Sequence, residues 1–141
     1  MNEVKIMLEI RKALQFFLKT LDPDTQADMI LAVPSLYDEY KKDKEYKIKE
    51  VFAYGVNSVG DPQLYQVLND HTSAKEWEPD KTPTLYKPIG VTEDGYPEWA
   101  QPLGATDAYN TGDIVSYNGV LYESIMDANV YPPDVCGWEK V

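Results

Sequence analysis

Three consecutive side chains, His71-Thr72-Ser73, set an imidazole beside two hydroxyls, the ingredients of nucleophilic catalysis. That chemistry needs a base, a nucleophile and an orienting group gathered from distant parts of a chain, which sequence neighbours rarely achieve. The expected role is structural: His71 and Thr72 hydrogen-bond loop amides and fix the turn that carries Trp77. His71 is the only histidine and Cys136 the only cysteine, which excludes histidine-rich metal sites and an intrachain disulfide. Asp107, Asp113, Asp127 and Asp134 supply carboxylates, but not at the alternating Asp/Asn/Gly spacing of a calcium loop. Nor do segments this small leave room for a glycosidase cleft, so these acids read as turn caps and a solvated face. No catalytic residue, metal site or cofactor is expected. The rings remain as binding candidates: Trp99 and Tyr131, each beside prolines, read as exposed, whereas Trp77 and Trp138 read as equivalent core positions.

These residues must be held by three segments. In residues 1–33, Met7, Ile10, Leu14, Phe17 and Leu21 recur at alternating three- and four-residue steps, which lays them along one helical seam. Val4, Leu8 and Leu18 widen it, and Asn2 caps the start with Glu3 in the first turn. Leu21-Asp22-Pro23 stops the helix, and Asp22 is expected to cap a second short helix that begins at Pro23 and ends before Pro34. Three apolar heptad turns do not hold a solitary helix in water. The seam therefore packs on the rest of the chain, or it joins copies of the chain or other proteins as an oligomerisation face. Phe16 beside Phe17 calls for apolar cover on more than one side.

Residues 34–90 and 91–141 repeat one design. The first has Glu45-Tyr46, Val51-Phe52-Ala53-Tyr54, Leu64-Tyr65 and Leu85-Tyr86; the second has Ala108-Tyr109, Ile114-Val115-Ser116-Tyr117, Leu121-Tyr122 and Trp138-Glu139. The first two tyrosines are eight residues apart in both segments. A longer loop, 55–62, stands where the second has Asn118-Gly119, a strong two-residue hairpin signal. Each unit reads as a small antiparallel β module with a mostly aromatic core, and 90–97 as the linker between them. The fold class is α+β: an N-terminal helical arm and two small β modules.

Charge narrows the partners. Of the net charge of −11, −8 falls in residues 93–141, a surface that repels phosphate backbones and anionic lipid. Nucleic acid and membrane are excluded as expected partners, and a neutral polymer or a protein fits better. Residues 1–21 alternate apolar and charged positions, unlike a signal peptide, so synthesis in a cytoplasm is expected.

The run Trp99…Ala108-Tyr109-Asn110-Thr111-Gly112-Asp113-Ile114-Val115-Ser116-Tyr117-Asn118-Gly119-Val120-Leu121-Tyr122…Asn129…Pro132…Trp138-Glu139-Lys140-Val141 resembles the type 3 chitin-binding domain, carbohydrate-binding module families five and twelve. The run Leu64-Tyr65-Gln66-Val67…His71-Thr72-Ser73…Trp77-Glu78-Pro79-Asp80…Leu85-Tyr86 resembles a variant of that module common in tail-region proteins of bacteriophages and prophages. The resemblance implies modules of carbohydrate-binding type and a virion-associated protein that acts at the cell exterior. In chitin-binding members a pair of exposed aromatics follows the second hairpin tyrosine. Here that stretch is Ser124-Ile125-Met126-Asp127, and Leu68-Asn69-Asp70 in the other module. Trp99, Tyr131 and Met126 are thus the candidate carbohydrate-contacting residues. The function expected is non-catalytic binding of a neutral cell-surface polysaccharide, the alternatives being a purely structural virion protein or an accessory module of a glycan-degrading enzyme.

Overall fold

The computed structural model describes residues 2–92 and 95–141. Glu93 and Asp94, within the expected linker, lie outside the described residues. The chain is mixed helix and sheet, with one long N-terminal helix and three small antiparallel sheets. It divides into two compact units: Met1–Gly55 with Pro62–Ile89, and Val56–Asp61 with Gly90–Val141. The helical arm and most of the first module thus share one unit, while the tip of that module's hairpin belongs to the second.

Helix α1 spans Glu3–Leu18, capped by the Asn2 side chain, whose Oδ1 accepts the Val4 amide at 2.8 Å. The short helix α2 covers Ala27–Leu31, not a stretch beginning at Pro23. Residues 22–26 instead form a turn: Asp22 Oδ1 accepts the Asp24 amide, and the Asp22 carbonyl accepts those of Thr25 and Gln26. A cap at Asp22 is present, but it closes this turn and delays the helix by four residues. A 3₁₀ turn, Pro34–Leu36, follows.

In the first unit, strands β2 (Val51–Val56), β3 (Pro62–Val67) and β5 (Tyr86–Pro88) form a sheet in the order β2-β3-β5. Strands β1 (Glu45–Tyr46) and β4 (His71–Thr72) pair beside it. Alternation along a strand sends neighbours to opposite faces, and here both faces are apolar. Ala53 and Leu64 join Leu18, Leu21, Ile30 and Ile89 in one core, so the end of the arm covers this face. Phe52, Tyr65 and Val67 join Tyr46 and Tyr86 in a second, aromatic core. Burying one of these large rings contributes roughly 1.5–3 kcal/mol, which lets so short a sheet persist without a disulfide.

In the second unit β6 (Ile114–Tyr117), β7 (Val120–Ser124) and β8 (Trp138–Lys140) repeat that sheet in the order β6-β7-β8. Asn118 and Gly119, both at positive φ (50° and 80°), make the tight turn between β6 and β7. The equivalence is residue by residue. Tyr65 pairs with Pro88 and Val67 with Tyr86; Tyr122 pairs with Lys140 and Ser124 with Trp138. Tyr46 bridges to His71 as Tyr109 does to Asn129. The Tyr46 hydroxyl accepts the Lys41 amide at 3.0 Å, and the Tyr109 hydroxyl accepts the Ala100 amide at 3.0 Å. Asp70 Oδ1 accepts the Ile48 amide as Asp127 Oδ1 accepts that of Thr111. The counterpart of Trp138 is therefore Tyr86, not Trp77, which lies outside the sheet and is exposed. One difference falls on the strand face that carries Leu64: Gln66, buried and donating to Asp24 Oδ1, corresponds to the exposed Glu123.

Candidate functional site

The loop joining β7 to β8 is organised by Asn129, which is fully buried. Its Nδ2 donates to Ser124 Oγ at 3.0 Å and to the Gly137 carbonyl at 2.8 Å, while its Oδ1 accepts the Tyr131 amide at 3.1 Å. Ser124 Oγ donates to the Met126 carbonyl at 2.8 Å, and the Trp138 indole donates to the Tyr131 carbonyl at 2.7 Å. A buried amide that engages all these groups at once fixes the loop, because the Tyr131 amide depends on it and Ser124 and Gly137 each gain a further hydrogen bond. Gly137 (φ 82°) is required here: a Cβ would meet Met126 Sδ and Asn129 Nδ2 at 2.9 Å each.

This network brings two of the three candidate carbohydrate contacts together. Met126 and Tyr131 are exposed, and Trp138 is half-buried with its ring edge-on to Tyr109 at 5.2 Å. Trp99 is half-buried rather than exposed; its ring meets Tyr117 edge-on at 5.7 Å and its Nε1 is buried without a partner among the described residues. Its segment is tied to the same loop, since Gln101 Nε2 donates to the Val130 carbonyl at 3.0 Å. Partial burial, and then the Asp134 carboxylate, raises the Tyr117 phenol above its ordinary pKa. Tyr54 is raised in the same way by burial and Glu78. A carboxylate thus raises the equivalent tyrosine in both modules, and in the first the Tyr54 hydroxyl meets Glu78 Oε2 at 3.5 Å. Sequence reading missed Asn129 as an organiser and the carboxylates beside these tyrosines, because neither leaves a periodic signal in the sequence.

Such a surface can bind. An exposed ring offers a flat apolar face, and nearby carbonyls and carboxylates accept hydrogen bonds from hydroxyls. His71 is held at both ring nitrogens, Nδ1 by the Asn69 carbonyl and Nε2 by the Tyr86 hydroxyl, each at 2.7 Å. Because a carbonyl only accepts, Nδ1 is the donor in the first of these bonds. Ser73 Oγ donates to the Lys41 carbonyl and accepts the Lys44 amide. These side chains serve the β1–β4 corner. Asp107 accepts the Leu103 and Gly104 amides and Asp113 that of Asn110, all as turn caps. Among the described residues no group of three His, Cys, Asp or Glu side chains is placed to hold a metal ion.

The predicted oligomerisation seam is split. Met7, Ile10, Leu14 and Phe17 are exposed, but Leu21 is buried in the first unit's core and is withdrawn from that face. Arg11 and Gln15, on the side of α1 turned to the module, reach the Ser35 and Leu36 carbonyls at 3.0 and 2.7 Å. Beside them lies a groove of about 680 Å³ bordered by Leu18, Leu36, Tyr37 and Phe52. Its rim charges pair with one another, as in Lys44–Glu50 at 3.1 Å and Lys49–Asp22 at 3.3 Å. Among the described residues no helix is long and apolar enough to cross a membrane. Compared with known proteins, the chain matches no family model and no curated protein.

Proposed function

We propose that this is a non-catalytic accessory protein of a bacteriophage or prophage tail region that binds neutral cell-surface carbohydrate through its β modules. The observation that carries the reading is the repeated module, with the same register and the same hydrogen bonds twice in one chain. A duplicated binding unit raises avidity where single contacts are weak, as contacts with repeating glycans are. The exposed Tyr131 and Met126 form the contact surface of the second module, and its negative charge disfavours polyanions. The carbohydrate and virion assignments rest on the resemblance to chitin-binding and phage tail modules. The arm gathers or attaches copies at the virion, leaving the modules to meet the cell surface.

A purely structural virion role is the second reading. It is favoured by Ser124-Ile125-Met126-Asp127 and Leu68-Asn69-Asp70, neither of which holds the aromatic pair of chitin-binding members. Binding to an array of neutral glycans decides between them: retention of the chain on at least one such glycan supports carbohydrate binding, and a blank array from folded protein supports the structural role. Release of reducing sugar would instead indicate an enzyme.

A further inference from the structure

We draw no further inference here: the strongest candidate, the groove of about 680 Å³ that Leu18, Leu36, Tyr37 and Phe52 border in the first unit, carries none because its rim charges pair with one another and nothing in the structure shows what covers it.

Discussion

Tyr40 and Trp99 hold the same place in the two modules. Each sends its backbone N–H to a strand carbonyl, Ala53 or Ser116, at 2.8 Å. Each presents its ring edge to the next residue of that strand, Tyr54 at 5.8 Å and Tyr117 at 5.7 Å. In both, that tyrosine meets a second one on the neighbouring strand, Tyr65 or Tyr122, at 6.3 Å. The three-ring stack, not the polar groups on the rings, is what the two modules have in common. The Tyr40 hydroxyl reaches the Ala74 carbonyl at 3.2 Å, whereas the Trp99 indole N–H has no partner among the described residues. Trp99→Phe is therefore expected to cost less than about 1 kcal/mol, and Trp99→Ala about 3 kcal/mol, in denaturant unfolding. Equal losses would mean that the indole N–H, not the ring, matters.

Asn129 is the residue on which the loop of the second module depends. Asn129→Ala strands the Tyr131 amide and takes one hydrogen bond each from the Ser124 hydroxyl and the Gly137 carbonyl, which keep Met126 and Ile125 as partners, and is expected to cost about 2 kcal/mol. Gly137→Ala combines an unfavourable φ with two close contacts and is expected to cost about 2 kcal/mol or more. Thermal unfolding measures both, and a change below about 0.5 kcal/mol in either contradicts the network.

The modules also differ at one backbone position. Gly112 (φ 95°) donates to the Ser124 carbonyl as Lys49 (φ 73°) donates to that of Val67, both at 2.8 Å. A lysine in the left-handed region is strained by about 1 kcal/mol, here relieved in part by ion pairs of Lys49 with Asp22 and Asp24. Gly112→Lys is expected to destabilise the second module by about 1 kcal/mol, since it puts a side chain into the left-handed region that the glycine occupies freely. An unchanged melting temperature would show that the turn tolerates any side chain.

Acid should affect Asp61 in an identifiable direction. Burial, and then the Asp113 charge, raises its carboxyl above the ordinary range. A raised folded-state pKa means that ionisation costs stability: the protonated form is favoured, and that advantage is lost as pH rises through the folded value. Asp61→Asn is therefore expected to raise the melting temperature at pH 7, with the gain disappearing below the ordinary aspartate pKa of about 3.8, where both side chains are neutral. A gain that persists undiminished at pH 3 contradicts this cause.

Much of this organisation was legible in the chain. The Asn2 cap, the Asn118-Gly119 turn and the repeated tyrosine spacing follow from local chemistry, and local chemistry survives folding. The match of Trp77 with Trp138 failed because loop lengths differ between the modules, and register rather than residue type decides equivalence. Leu21 and Trp99 were misplaced for a related reason. A heptad position does not reveal that the arm's last turn docks on Ala53 and Leu64, nor does a neighbouring proline reveal the Tyr117 ring. Asn129 gave no periodic signal at all, because its role is set by three partners brought together only in the fold.

Carbohydrate binding is the claim most in need of a direct measurement. Isothermal titration of the intact chain with soluble N-acetylglucosamine oligomers, repeated with Tyr131→Ala, addresses it at the exposed ring of the Asn129 loop. Saturable binding without sugar release, weakened about tenfold or more by Tyr131→Ala, is the result expected if the ring stacks on the sugar at about 1.4 kcal/mol or better. No binding to these oligomers or to a panel of neutral cell-surface glycans, by protein whose dichroism confirms its fold, would contradict the account.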